Sequence, residues 1–207
     1  MRKMRKLFGG LTVLAIAALL ALALGTQGDV SAASLTSRIQ VNVLGTLTDA
    51  TTLTDNQAVL QKVWTTSLAN GTGAAQADKI YTLKEQSIAD GGTLSIDVKA
   101  ALVDAFGAAF TPAKLRAVVI SSCGGSANGC SQAANTTNLT LFGDANGVPI
   151  LNTAATTSTL TPGGLFVKTD TSTTGIAVTA GTGDIIKIVN AAGAVAYVDI
   201  VLIGTSS

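Results

Sequence analysis

The side chains that could carry chemistry in this sequence are two cysteines, one glutamate and a scatter of aspartates, since the chain contains no histidine. Without histidine, Ser-His-Asp catalysis, Cys-His catalysis and the common zinc sites are excluded or strongly disfavoured. A glycosidase needs two facing carboxyl groups, and Glu85 is the only glutamate. We therefore expect a protein that is not an enzyme and has no catalytic residues, no cofactor and no metal.

The cysteines are spaced for a short loop. Cys123 and Cys130 bracket Gly-Gly-Ser-Ala-Asn-Gly, a flexible segment that lets two sulfur atoms meet. Two thiolates alone leave a zinc ion short of ligands. The spacing predicts a disulfide in an oxidising compartment, and two free thiols are the alternative.

Several aspartates lie beside turn residues, where their carboxylates commonly accept local backbone N–H groups. Calcium binding is the functional alternative, but no Asp-x-Asp-x-Asp spacing supports it. These turn aspartates are Asp49, Asp55, Asp78, Asp90, Asp144 and Asp184.

The glycine-rich segments 71–73 and 181–183 are interpreted as tight turns, because neither is followed by the Gly-Lys-Ser/Thr of a phosphate loop.

The first 33 residues have the pattern of a secretory signal. Four basic residues precede residues 11–24, which are apolar apart from Thr12, and small residues before Ala32 and Ala33 suit signal peptidase. The apolar run is shorter than the roughly 20 residues of a membrane-spanning helix. We predict a cleaved signal peptide at 1–33 and an exported protein. The alternative to cleavage is that residues 1–33 remain as an N-terminal membrane anchor. In that case, this segment would be the only part of the protein that contacts the membrane.

Charge is scarce in the rest of the chain. From Ser34 onward there are 9 basic and 11 acidic residues, a net charge of −2, with no cluster of lysine or arginine. Nucleic-acid binding proteins carry such a cluster, so we expect no nucleic-acid partner. Charged residues make up 12% of the whole chain, too few for a coiled coil or a charge-driven disordered protein.

The hydrophobic pattern repeats every second residue, which is typical of strands with one buried face. Ile39, Val41 and Val43 alternate with polar residues. Residues 185–189 and 194–203 predict a C-terminal hairpin across 190–193. Its second arm is apolar on nearly both faces and is predicted to be a central strand, or one covered by a partner. In that arm, one face carries Tyr197, Asp199, Val201 and Ile203. Other predicted strands are 94–98, 117–120, 139–142, 165–167 and 176–178.

Helical signals are few. Residues 55–68 suit a helical turn or a strand equally well, and residues 100–106 are a helix candidate that ends at Gly107. About eight short strands separated by turns favour an all-β fold. We expect residues 34–207 to form a single jelly-roll-like β-sandwich.

Four segments of the chain are distinctive sequence motifs. They read Asn-Gly-Thr-Gly-Ala-Ala-Gln-Ala-Asp-Lys-Ile-Tyr at 70–81, Leu-Val-Asp-Ala-Phe-Gly at 102–107, Thr-Pro-Gly-Gly-Leu-Phe at 161–166 and Gly-Ile-Ala-Val-Thr-Ala-Gly-Thr-Gly-Asp at 175–184. In these segments and their order, the sequence resembles a family of small virion-associated proteins of tailed phages over about residues 47–204. The resemblance implies a structural virion component of β-sandwich fold, on the capsid surface or associated with a fibre. It implies no catalytic residues.

We therefore expect a structural or assembly subunit, located on a virion surface or secreted as part of an extracellular filament or surface layer. It would associate with itself or dock on a larger assembly. The strands around Ile39, Val41 and Val43 and around Tyr197, Asp199, Val201 and Ile203 are the predicted contributors, because they are apolar and poorly protected by lysine. In the alternative, both strands lie inside one sandwich. The alternative function is a secreted ligand- or carbohydrate-binding module.

Overall fold

The computed structural model describes residues 34–51 and 54–207, and this part of the chain is all-β. The predicted signal peptide at 1–33 lies outside the described residues. Within them, no helix is long and apolar enough to cross a membrane. The strands are β1 (Ser37–Thr51), β2 (Thr54–Asn70), β3 (Gln76–Ala77), β4 (Lys79–Ile88), β5 (Thr93–Asp97), β6 (Lys114–Ser122), β7 (Leu139–Phe142), β8 (Thr157–Leu160), β9 (Leu165–Thr169), β10 (Ile176–Ala177), β11 (Ile185–Asn190) and β12 (Ala196–Thr205).

Two antiparallel sheets pack on a common core. One has the order β10-β6-β12-β4, with β9 also paired to β6, and the other has the order β5-β11-β7-β8. Alternate side chains of β12 and β11, such as Ile200 and Ile188, point into the same buried cluster. The arrangement is therefore sandwich-like, and the period-two pattern of the sequence arises because each strand buries one face.

The predicted C-terminal hairpin is wrong, although both of its strands exist. β11 pairs with β5 and β7, whereas β12 pairs with β4 and β6. Residues 191–195 therefore cross from one sheet to the other. Asn190 helps to hold this crossing, since its buried amide donates to the carbonyls of Ala89 at 2.9 Å and Ala194 at 2.7 Å. As predicted, β12 is a central strand with neighbours on both sides.

Neither helix candidate forms a helix. Residues 55–68 belong to β2, and residues 100–106 form irregular backbone with an isolated bridge between Val103 and Ala109. In the second segment, the carboxylate of Asp104 accepts the N–H groups of Phe106 at 2.8 Å and Ala108 at 2.9 Å. Side chain to backbone bonds of this kind compete with helix formation, and a seven-residue helix has little stability of its own.

A third sheet consists of β1, β2 and the short β3. β1 pairs antiparallel with β2 over its full length, from Ser37 opposite Leu68 to Thr51 opposite Thr54. β3 adds to β2 only at Ala69 and Asn70. We call the β1–β2 pair the ribbon. With 15 residues in β1, it is about 50 Å long at about 3.4 Å per residue.

Candidate functional site: an exposed β-ribbon

The ribbon carries most of the exposed large apolar side chains in the described part of the chain. Six of the ten large hydrophobic residues that are exposed there lie on β1 and β2. Leu60 is 67% exposed, Leu44 65% and Trp64 55%. We call these six residues the apolar band. They are Val43, Leu44, Val59, Leu60, Val63 and Trp64.

The apolar band covers both faces of the ribbon. Directly opposed residues of an antiparallel pair share a face, and successive residues alternate between faces. The register opposes Val41 to Trp64 and Gly45 to Leu60 on the face that also carries Val43. Leu44, Val59 and Val63 therefore lie on the other face. A surface that is apolar on both sides is typical of a strand pair that is covered on both sides in its functional state.

The root of the ribbon packs on the outer face of the five-stranded sheet. Leu68 is buried there against Ala117 and Ile203, and Ile39 packs beside them. A groove of about 390 Å³ runs alongside residues 35–40. Its floor is formed by Ile80, Val119, Val201 and Ile203. The first few residues of the ribbon are thus held by the sandwich. The apolar band begins next to it, because Trp64 lines a second groove with Val167 and Thr169 of β9.

A buried arginine ties this root to the sheet. Arg116 has no exposed surface and lies where β6 bulges against β12. Its guanidinium donates to the carbonyl of Ser172, and to those of Thr72 at 3.4 Å and Gly73 at 3.0 Å. Thr72 and Gly73 belong to the turn that follows β2, so one planar cation clamps that turn to the loop around residue 172. No partner for its Nε atom lies within the described residues.

The two cysteines are joined as the sequence predicts. The sulfur atoms of Cys123 and Cys130 are 2.09 Å apart and the Cα atoms 5.6 Å apart. The enclosed loop contains a single 3₁₀ turn, Gly125–Asn128. Asn135, also buried, fixes the loop to β12, because its amide donates to the Tyr197 carbonyl at 2.8 Å and accepts the Tyr197 N–H at 2.8 Å.

Glu85 holds the residue that follows this loop. Its carboxylate accepts the hydroxyl and the backbone N–H of Ser131, the latter at 2.7 Å. These hydrogen bonds lower the pKa of Glu85 below its ordinary value of 4.5. Hydrogen bonds from Ser172 lower the pKa of Asp170 in the same way. Both carboxylates are thus stabilised as anions by turns, whereas a general acid or base working near neutral pH needs a raised pKa.

The two predicted assembly strands occupy different environments. Ile39, Val41 and Val43 lie on β1, which borders β2 on one edge. β12 has both edges occupied, so Tyr197, Asp199, Val201 and Ile203 cannot bind another chain by edge pairing. Val201 and Ile203 line the groove, and the Asp199 carboxylate accepts the Glu85 N–H at 2.6 Å.

Two motif segments and the aspartates Asp144 and Asp184 have local structural roles, whereas Asp78 and Asp90 accept the N–H groups of the distant residues Ser206 and Gly193. The segment 161–166 forms the turn into β9, and the segment 175–184 forms β10 and the turn before β11. Asp184 is buried and its carboxylate accepts the N–H of Gly181. Among residues 34–51 and 54–207, no three Cys, Asp or Glu side chains are grouped to hold a metal ion.

Sequence reasoning missed the length of the ribbon and left its second strand undecided between a helical turn and a strand. The apolar residues of 59–68 come in adjacent pairs, Val59-Leu60 and Val63-Trp64, instead of alternating with polar residues, so the local pattern gives no signal of a long hairpin. In comparisons with protein-family models, curated proteins and solved structures, nothing matched this chain.

Proposed function

We propose that this protein is a non-enzymatic structural subunit that docks on a larger assembly through the apolar band of its ribbon. The observation that carries the proposal is the exposure of six large apolar side chains on both faces of one strand pair. A two-stranded ribbon is at best marginally stable in water, so it needs a covering surface. Contiguous exposed apolar surface of this kind marks interaction sites in folded proteins.

We further propose that the two larger sheets form a jelly roll. Taking β4, β5, β6, β7, β8, β9, β11 and β12 in chain order as strands one to eight, the first sheet has the order 1-8-3-6 and the second 2-7-4-5. This interleaving is the order that the double Greek key of a jelly roll generates. Many viral capsid proteins use such a fold, which supports a structural role.

The assembly that we propose is a virion surface, as a capsid-decoration or fibre-associated protein, or an extracellular filament or surface layer. The resemblance of the four motif segments to tailed-phage proteins supports the first. The predicted signal peptide supports export, and the Cys123–Cys130 disulfide is compatible with an extracellular location. The ribbon would serve each of these assemblies in the same way, by burying the apolar band against a neighbouring subunit.

Rate-zonal sedimentation of material from the producing culture tests the proposal. The full chain should sediment with particles or filaments, and Leu60→Lys, which places a charge in the apolar band, should shift it to slow fractions. Phe106→Lys is the matched control, because Phe106 is 87% exposed but lies outside the ribbon. A protein that is strictly monomeric and never sediments with a particle would overturn the proposal in favour of a ligand-binding module.

A further inference from the structure

The open edge of β1 differs from the other sheet edges. Among the described residues, no strand pairs with the side of β1 that faces away from β2. β5, β8 and β9 are edge strands of only 5, 4 and 5 residues. β4 is longer, but it is interrupted by a bulge against β12 and carries two lysines, Lys79 and Lys84. Short length, bulges and lysines are the usual protection against pairing with another chain.

β1 has none of this protection. It is 15 residues long, contains neither proline nor lysine, and pairs with β2 without a register shift. A regular edge of this length offers a row of free N–H and C=O groups to an added strand. Two strands form a marginal ribbon, whereas a sheet of three or more strands with an apolar face is stable in water. Pairing at this edge therefore stabilises the ribbon itself.

The charges of the ribbon identify the added strand. Residues 37–70 contain two basic residues, Arg38 and Lys62, and two acidic residues, Asp49 and Asp55, so the ribbon is neutral. On β1, Arg38 lies near the root and Asp49 near the opposite end. An antiparallel second β1 brings Arg38 of each copy to the position of Asp49 in the other. The strand is thus complementary to itself in charge when the pairing is centred near Val43 and Leu44.

We propose that β1 pairs antiparallel with β1 of a second copy of this chain, so that the two ribbons form one four-stranded ribbon across a two-fold axis. The inference rests on the proposed function and names the first partner of the ribbon. A two-fold contact of this kind is closed and uses the same edge twice. It leaves the apolar band on the faces of a wider sheet, available to the rest of the assembly.

Charge reversal at the two ends of β1 tests this pairing. Within one chain, Arg38 and Asp49 are 11 positions apart, about 37 Å along the strand. This separation exceeds the screening length of about 8 Å at physiological salt, so the two charges do not interact inside one copy. Any rescue of one reversal by the other must therefore act between copies.

The experiment measures the dimer dissociation constant of the full chain by sedimentation equilibrium. Arg38→Asp and Asp49→Arg should each weaken the dimer roughly tenfold, because each affects two symmetric contacts. The double variant should return to within about threefold of the wild type. In the control, Lys62→Asp makes the same charge change on β2, and combining it with Asp49→Arg should give no rescue.

Hydrogen exchange of β1 supplies the second readout. Amides on the open edge should become protected as the protein concentration rises through the dissociation constant, whereas those of the short edge strand β8 should not change. If the protein dimerises or enters a particle with β1 amides unprotected and without rescue by the double reversal, the β1 pairing is wrong and the proposed function stands. A chain that neither self-associates nor sediments with any particle overturns both.

Discussion

Replacing Arg116 probes how the ribbon is anchored to the sandwich. The guanidinium of Arg116 is fully buried and bonds the carbonyls of Ser172 and Gly73, with Thr72 at longer range. Arg116→Ala removes the donors, while water can still reach the carbonyls because Thr72, Gly73 and Ser172 lie in exposed turns. The variant should therefore lose at least the net contribution of one hydrogen bond to a charged group, about 1.5–3 kcal/mol of unfolding free energy. Arg116→Lys should recover only part of this loss, because one ammonium group cannot reproduce the planar fork that spans both loops.

Urea denaturation followed by tryptophan fluorescence measures this loss, since Trp64, the only tryptophan, lies on the ribbon. Lys168→Ala is the matched control, because Lys168 is an exposed cation on the neighbouring strand β9 and should change the unfolding free energy by less than about 0.5 kcal/mol. Limited proteolysis should cut Arg116→Ala in the turn around residues 71–73 sooner than the wild type. An Arg116→Ala protein with the wild-type midpoint and the wild-type cleavage rate would refute the clamp.

Three further predictions concern the loop network around β12. Replacing both Cys123 and Cys130 with serine should lower the unfolding free energy by about 2.5 kcal/mol on the chain-entropy model, and adding reductant to the wild type should do the same. Asn135→Ala should cost about 2–3 kcal/mol in urea denaturation, because the buried N–H of Tyr197 loses its acceptor. Folding lowers the pKa of Glu85 below 4.5, so its stabilising effect is complete above that pH and is lost as the pH falls through the folded value. An acid titration of stability should therefore be steeper below about pH 4.5 for the wild type than for Glu85→Gln, and identical curves would show that the Ser131 contact contributes nothing.

Strand positions could be predicted from the sequence because burial of one face leaves a period-two pattern. Residues 139–142 were predicted as a strand and are β7, and the two faces of β12 separate as expected, with Val198 and Leu202 in the core and Ile203 outside it. Strand pairing could not be predicted in the same way. Residues 190–193 have the length and composition of a hairpin turn, yet the same residues can also cross between sheets. The Asn190 amide favours the crossing through its long-range bonds to the carbonyls of Ile88 and Ala89.

The candidate site was only partly visible in the sequence. Ile39, Val41 and Val43 indicated an apolar strand, and the structure places them on β1. The exposure of the apolar band depends on where the sandwich ends, which no local pattern encodes. The clamping role of Arg116 could not be predicted either. A single arginine in an apolar strand does not show that its partners are carbonyls 43 and 56 residues away.

Site-specific photocrosslinking of the assembled protein tests most directly whether the ribbon is the docking surface. A benzophenone side chain is introduced into the full chain at Leu60, in the apolar band, or at Phe106, which is more exposed but lies outside the ribbon. After irradiation of the producing culture, we expect covalent adducts to a neighbouring subunit from position 60 and none from position 106. Adducts from position 106 with none from position 60 would contradict it.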